Sequence, residues 1–328
     1  MSATALLRLS ALGDILLCEP VVRVLKEREP NRPLIFITKE RFAEIPRGWP
    51  DVDHVLALPD PIDGRALAGL RAELARLGVD RRLDLHNTLR SRRLWPWGAT
   101  RLPKHRLQKW LLVHGRALPA AWRGDPGPLW RRNLRLVGVT EPGTDLRPRL
   151  VVEGHVLRHG ARRHVALVPG AGFATKSWPE ACWREFLPLL LEQVPEPVLL
   201  LGGAAEHALG ERLAALAPDR VRNCCGACSL SESARLLADA RFVVSGDTGL
   251  LHMADAAGVP GAALFGSTVR ELGFYPLGES LRVLEIPLSC RPCSHVGRTA
   301  CPLGHLDCLR RIAPRDVLAA CLAAEAAC

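Results

Sequence analysis

The sequence predicts an α/β protein made of two related halves, each built on a parallel sheet. Three observations support this. Short apolar runs alternate with stretches of helical periodicity along the whole chain, the pattern of strand–helix–strand crossovers. In the C-terminal half, successive apolar runs stop at glycine or other small residues: Pro169-Gly170-Ala171-Gly172, Gly202-Gly203, Ser245-Gly246 and Gly266-Ser267-Thr268. The 328 residues are 48% hydrophobic and 24% charged, an ordinary globular balance for about two domains of ~150 residues.

Taken in order, Leu6–Leu9 reads as a first strand, Ser10–Asp14 as a loop and Ile15–Lys26 as a helix. One glycine stands where a dinucleotide fingerprint needs three, so that motif is excluded. Asp14, at the mouth of this strand–helix turn, reads either as a helix cap or as a general base at the C-terminal edge of the sheet. Pro33–Thr38 and Asp53–Leu58 read as further strands. Gly64–Leu77 is an amphipathic helix with Leu67, Leu70, Leu74 and Leu77 on one face. Leu83–His86 is a strand followed by NTLRSRR. Trp95, Trp97 and Trp110 read as core or interface rather than as base-stacking platforms. A Pro- and Gly-rich stretch, EPGTDLRPR, places a domain boundary at 150/151.

The second series repeats the alternation. His164–Val168, Pro197–Leu201, Arg241–Val244 and Gly261–Phe265 read as strands; Glu180–Leu191, Leu230–Ala238 and Leu250–Ala257 read as helices. Pro179 suits a first helical turn, and Ser229 or Ser231 a cap. The organising stretch is SGDTGLLHMADAAGVP, residues 245–260, where a strand stops and a helix starts across Gly246-Asp247-Thr248-Gly249. The unsatisfied N–H groups and the dipole of such a helix favour an anion there. Either a phosphorylated ligand or an ordinary N-capped helix satisfies this pattern.

The net charge of +10 is unevenly spread: residues 1–150 carry 27 Lys+Arg against 16 Asp+Glu, and residues 151–328 carry 17 against 18. Arg81–Arg123 alone holds eleven basic residues and one acid, Asp84. That excess reads as a surface for an anionic partner (a phosphorylated or acidic glycan, a membrane surface or nucleic acid) or as a solvated face. No apolar run approaches the ~20 residues of a membrane span. The N-terminus lacks the basic start and cleavage site of a signal peptide, so the expected compartment is the cytoplasm. Disulfides are not expected there. Cys290-x2-Cys293-x7-Cys301-x6-Cys308 reads as a structural zinc or iron–sulfur site, or as reduced thiols.

With these residues laid out, the chain resembles glycosyltransferase family 9, the heptosyltransferases of lipopolysaccharide core assembly. The resemblance runs nearly end to end through RLSALGDILLCEP, DLHNTLRSR, GAGFATKSWP, LLLGGAAEH and SGDTGLLHMADAAGVPGAALFGST. It implies a GT-B architecture, two Rossmann-like domains with parallel sheets facing across a cleft: residues 1–150 for the acceptor and 151–328 for the nucleotide-sugar. It implies an inverting transfer of a heptose from an ADP-sugar to a lipopolysaccharide inner-core acceptor, with no cofactor required for catalysis. By this resemblance Asp14 is the base, Lys176 binds the diphosphate, Glu206 binds the ribose, and Asp247, Thr248, Gly249 and His252 form the rest of the donor site. His252 also reads as a buried core histidine. An anionic, lipid-linked glycan acceptor gives the basic stretch a use, with Arg90, Arg92, Lys104, Arg106 and Lys109 as its contacts, and implies a cytoplasmic enzyme peripheral on the inner membrane. Nucleic acid is not an expected partner, since it would not need Lys176, Glu206 and the DTGxxH helix together. The rival reading is a GT-B sugar-nucleotide epimerase, or a nucleotide-sugar-binding protein without transferase activity. A basic acceptor half argues against it.

Overall fold

The computed structural model describes residues 2–115 and 125–328. The chain forms two compact units, one of Met1–His105 with Leu129–Val156 and the other of Arg106–Pro128 with Leu157–Cys328. The passage at Val156/Leu157 lies a few residues beyond the composition change at 150/151. The assignment of Arg106–Pro128 to the second unit has no counterpart in the sequence reading.

In the first unit, strands β1 (Ala3–Leu7), β2 (Leu34–Lys39), β3 (His54–Leu58), β4 (Val79–Asp84) and β5 (Thr100–Arg101) form one parallel sheet ordered β3-β2-β1-β4-β5. β1 is buried at every position, as a central parallel strand covered on both faces must be. Alternate side chains serve opposite faces. Ala3, Ala5, Leu7, Ile35 and Ile37 join Leu70 and Leu74 of the helix Gly64–Arg76 in one core. Phe36 meets the edge of Trp49 at 5.2 Å between ring centroids.

Two expectations are corrected here. The single helix expected over Ile15–Lys26 is two, Leu12–Leu16 and Glu19–Arg28, because Pro20 has no N–H to donate and belongs in a first turn. The strand expected at Leu83–His86 begins at Val79 and ends at Asp84. Its polar residues hid it, and the partners that accommodate them are remote: Arg81 pairs with Glu29, and Asp80 with Arg32.

The first unit's last segment pairs β6 (Leu150–Val152) with β7 (His155–Leu157), and a larger sheet follows in the second unit. That sheet contains β8 (His164–Val168), β9 (Val198–Leu200), β10 (Val221–Asn223), β11 (Ala240–Gly246), β12 (Gly261–Phe265) and β13 (Leu281–Glu285). Its order is β10-β9-β8-β11-β12-β13, all parallel. The helix Leu230–Ala238 lies as expected, with the Ser229 hydroxyl accepting the Glu232 N–H at 3.1 Å. β10, β13 and the alanine-rich helix Pro314–Ala326 are additions to the sequence reading. The core joins Val165, Leu167, Phe242, Val244 and Leu264 of the sheet to Trp183, Phe186 and Leu190 of the helix Glu180–Gln193. Trp178, Trp183 and Phe186 pack edge to face, with centroids 4.9–6.0 Å apart. Among the described residues no helix is long and apolar enough to cross a membrane.

Trp183 is fully buried, and its indole N–H donates to Pro169 O at 3.2 Å, at the end of β8. Trp183→Ala should therefore cost about 3–5 kcal/mol of stability, the range for emptying a large aromatic site. Urea unfolding reads this as a lowered midpoint at an unchanged slope; a cost under 1 kcal/mol would mean the site collapses to fill itself.

Candidate functional site

In each unit, the two central strands run side by side and their crossovers leave in opposite directions, so loops converge at their C-terminal ends. This is the position at which open α/β sheets bind ligands. In the second unit the strands are β8 and β11, in register Leu167↔Val244 and Val168↔Ser245. β11 ends at Gly246, and the helix Gly249–Ala257 starts three residues later. The Thr248 hydroxyl caps it, accepting from Leu251 N at 3.2 Å and lying 3.1 Å from Ser245 Oγ. Thr248, Gly249 and Leu250 are half-buried, so the first turn remains accessible. His252, one turn further in, is buried.

Asp247 is the electrostatic centre of this cluster. Its Oδ2 lies 2.8 Å from Lys176 Nζ and accepts from Thr268 Oγ1 at 2.8 Å. The Lys176 side chain retains 15% of its exposure and Asp247 only 5%. Lys176 closes the short 3₁₀ turn Ala174–Lys176. Glu206 is half-buried at the end of the next strand, where its Oε2 accepts the Gly203 N–H at 2.9 Å.

Three of the strand-ending glycines are packed against the protein itself. A Cβ on Gly246 would lie 2.4 Å from Lys176 O, one on Gly266 2.8 Å from Thr175 O, and one on Gly170 2.2 Å from Glu206 Cγ. The space they leave is filled by the protein itself, seating the Lys176 turn and the Glu206 side chain against the strand ends.

In the first unit the corresponding strands are β1 and β4. Arg8 follows β1, pairs with Asp14 Oδ2, and also donates to the carbonyls of Ser10 and Leu85. The same Asp14 oxygen accepts the Ala11 N–H at 3.1 Å, so Asp14 does cap the helix Leu12–Leu16. Beyond β4, the loop folds around fully buried Asp84, which accepts from His86 N at 3.0 Å, Asn87 N at 2.6 Å and Ser91 Oγ at 2.8 Å. This sets His86 beside Arg8, Asp14 and Lys104. Its Nδ1 is buried with no hydrogen-bond partner among the described residues. Burial, reinforced by the Arg8 and Lys104 cations, lowers the His86 pKa to about 3. Burial followed by Arg8 also brings the Lys104 ammonium below the usual lysine range.

The basic stretch is not one surface. Arg90 is exposed and Arg92 donates to Asn87 Oδ1 at 3.2 Å, both on the short helix Leu89–Leu94; Lys104 is half-buried. Arg106 and Lys109 belong to the helix Arg106–His114, in the second unit. Arg101 is drawn inward by Asp84, at 3.7 Å, and by the carbonyls of Trp95 and Pro96. Arg116 and Arg123 lie outside the described residues. Of the three tryptophans, Trp95 is in the core, whereas Trp97 and Trp110 are exposed.

The metal reading of the cysteines does not fit this arrangement. Cys290, Cys293, Cys301 and Cys308 line one pocket of about 340 Å³ together with His114 and His305. Among the described residues, however, no three His, Cys, Asp or Glu side chains are placed to hold a metal ion. Burial pushes the Cys293 thiol up, and that of Cys308 up to about 11.

Sequence reasoning missed Arg8, His86, Thr268 and Arg291. Each stands beyond a strand end, and each also depends on a neighbour distant in the chain: Leu85 for Arg8, Arg8 for His86, Asp247 for Thr268, Gly266 and Thr268 for Arg291.

Comparison with known proteins adds the family context. Residues 149–303 match the model of glycosyltransferase family 9 (heptosyltransferase). The chain is 28% identical over 306 residues to lipopolysaccharide heptosyltransferase 1 of Pseudomonas aeruginosa, an alignment covering 88% of this chain and 85% of that one. In fold it is similar to an E. coli ADP-heptose lipopolysaccharide heptosyltransferase II, with TM-score 0.74, 20% identity and 99% of each chain covered. An E. coli heptosyltransferase solved with ADP superposes with TM-score 0.70 at 22% identity, over 97% of this chain and 98% of that one. The GT-B architecture implied by the resemblance is the one these structures share with it.

Two measurements test these arrangements, one in each unit. Because the folded-state pKa of His86 is depressed, its imidazole should stay neutral as pH falls from 7 to 5; below about 6.5 the unfolded chain takes up the proton and the native state does not, so stability falls with pH in that range. NMR of the ring protons should show one histidine that does not titrate, and a midpoint near 6.5 for His86 would contradict the geometry. Gly246→Ala should cost about 1–3 kcal/mol and displace the Lys176 turn, since the added carbon meets a backbone carbonyl. Wild-type stability with wild-type nucleotide affinity would show that the turn has room.

Proposed function

Because the chain belongs to glycosyltransferase family 9, we propose that it transfers a heptose from ADP-heptose to an inner-core acceptor in lipopolysaccharide biosynthesis. The observation that carries this is the Lys176–Asp247 pair at the half-exposed N-terminus of the helix Gly249–Ala257. A cation and a set of N–H groups there suit the diphosphate of a nucleotide-sugar. The epimerase or binding-protein reading is not favoured, since the matched family and the relative that spans most of the chain are heptosyltransferases.

In the proposed reaction, Asp14 takes the proton from an acceptor hydroxyl as that oxygen attacks the anomeric carbon. The bond from that carbon to the diphosphate breaks on the opposite face, so the configuration inverts and ADP leaves with the bonding electrons. Lys176 and the N–H groups at Thr248 and Gly249 take up the charge that develops on ADP, which assigns to the protein the role a divalent ion has in other transferases. Glu206 offers two acceptor oxygens to a ribose diol, and buried His252 braces the helix that carries Thr248. The four cysteines themselves are given no catalytic role.

The acceptor is proposed to be an anionic, lipid-linked glycan met at the cytoplasmic face of the inner membrane, with the protein held there peripherally. Arg90, Arg92 and Lys104, with Arg8 and His86, are the first unit's contacts to it, and Arg106 and Lys109 are further cations on the second unit. Neutral His86 contributes a hydrogen bond rather than a charge. Nucleic acid is not a proposed partner.

Paired variants test this reading. Asp14→Asn can still accept the Ala11 N–H but cannot take a proton. It should lower kcat by about 10²–10⁴-fold with ADP affinity unchanged, whereas Lys176→Met should weaken ADP binding and turnover together. An Asp14→Asn enzyme that keeps its turnover but melts earlier would leave Asp14 only the cap and Arg8 partner it structurally is. Normal ADP affinity in Lys176→Met would remove that lysine from the site.

A further inference from the structure

We infer that Thr268 and Arg291 are positioning residues for the Lys176–Asp247 pair, together holding Asp247 so that Lys176 is presented to a diphosphate. The inference rests on the reading of Lys176 as the diphosphate-binding cation.

Thr268 is buried, and its hydroxyl donates at 2.8 Å to Asp247 Oδ2, the oxygen that also receives Lys176 Nζ at 2.8 Å. A buried carboxylate with a lysine as its main partner holds the ammonium strongly and competes with any incoming phosphate. A second donor on the same oxygen satisfies part of that demand and fixes the plane of the carboxylate, which in turn fixes where Nζ sits.

The hydroxyl can do this only if the segment Gly266–Thr268 is held still. Arg291 holds it from one side: Nη2 donates to Thr268 O at 2.9 Å, Nε to Gly266 O at 2.5 Å and Nη1 to Ile286 O at 2.8 Å. A planar guanidinium fork with fixed donor directions can bind three carbonyls in one geometry, whereas an ammonium cannot. Its charge is balanced by Glu285 at 2.7 Å, and its side chain is only 6% exposed. From the other side, Ser267 N donates to Thr175 O at 3.2 Å, tying the segment to the turn that ends in Lys176. The chain of contacts is thus closed: Arg291 holds Thr268, Thr268 holds Asp247, Asp247 holds Lys176, and the Lys176 turn holds Ser267. Arg291 lies between Cys290 and Cys293, so the cysteine-rich loop acquires a role at the donor site that needs no metal.

The test is the ratio of ADP to AMP affinity, measured by calorimetry on the intact protein. That ratio isolates the contact to the second phosphate; general loosening would weaken both nucleotides alike. Thr268→Val keeps the shape and removes the donor, and should lower the ADP preference about tenfold, the worth of one hydrogen bond to a charged group, with AMP affinity unchanged. Thr268→Ser should restore it. Arg291→Lys keeps the charge beside Glu285 but loses the fork, and should lower the ratio in the same direction. A wild-type ratio in Thr268→Val, or an equal loss of ADP and AMP affinity, overturns the inference while leaving Lys176 in place; a wild-type ratio in Arg291→Lys removes Arg291 from it. A wild-type protein with no preference for ADP over AMP overturns both this inference and the reading of Lys176 beneath it.

Discussion

When two neighbouring parallel strands send their crossovers to opposite faces of a sheet, neither helix layer covers the backbone just beyond them. Both sheets of this protein have that arrangement, with the order 3-2-1-4-5 in the first unit and its six-stranded equivalent in the second. Asp14 and His86 follow β1 and β4; Lys176 and Asp247 follow β8 and β11. The residues of each proposed site are therefore placed by topology first, and the loops only refine their positions.

The refinement depends on removing side chains as much as on adding them. In the second unit, Gly246 and Gly266 let the Ala174–Lys176 turn lie directly on the strand ends, and Gly170 makes room for Glu206. Close packing of backbone on backbone leaves the turn few alternative positions, so the lysine it carries is presented in one place. The ion pair with Asp247 then sets the last torsions. Preorganisation of this kind suits the role proposed for Lys176, to meet developing charge without moving.

The first unit reaches a comparable result with polar atoms. Fully buried Asp84 gathers the N–H groups of His86 and Asn87 and the Ser91 hydroxyl, drawing the loop after β4 into a compact turn. Arg8 bridges that loop to Asp14 by donating to Leu85 O while pairing with the carboxylate. The surroundings of Asp14 are thereby cationic on several sides and hold a neutral imidazole, which is the environment an acidic sugar would find complementary.

Local patterning alone specified much of this protein. Apolar periodicity and glycine placement identified the strands His164–Val168 and Gly261–Phe265, the helix Leu230–Ala238, and the strand-to-helix junction at Asp247, because each is a short-range signal carried by adjacent residues. The family motifs named Asp14, Lys176 and Glu206 for the same reason. Tertiary structure decided what those signals could not contain. β4 is a strand despite its Asp-Arg-Arg because Glu29 and Arg32, some fifty positions earlier, pair with its charges. The basic stretch is divided between two units because the fold sends Arg106–Pro128 into the second. Thr268 and Arg291 matter through Asp247 and three backbone carbonyls. A sequence records which groups are present, but an ion pair or a clasp between distant residues exists only once packing has excluded water and brought the partners within hydrogen-bonding distance.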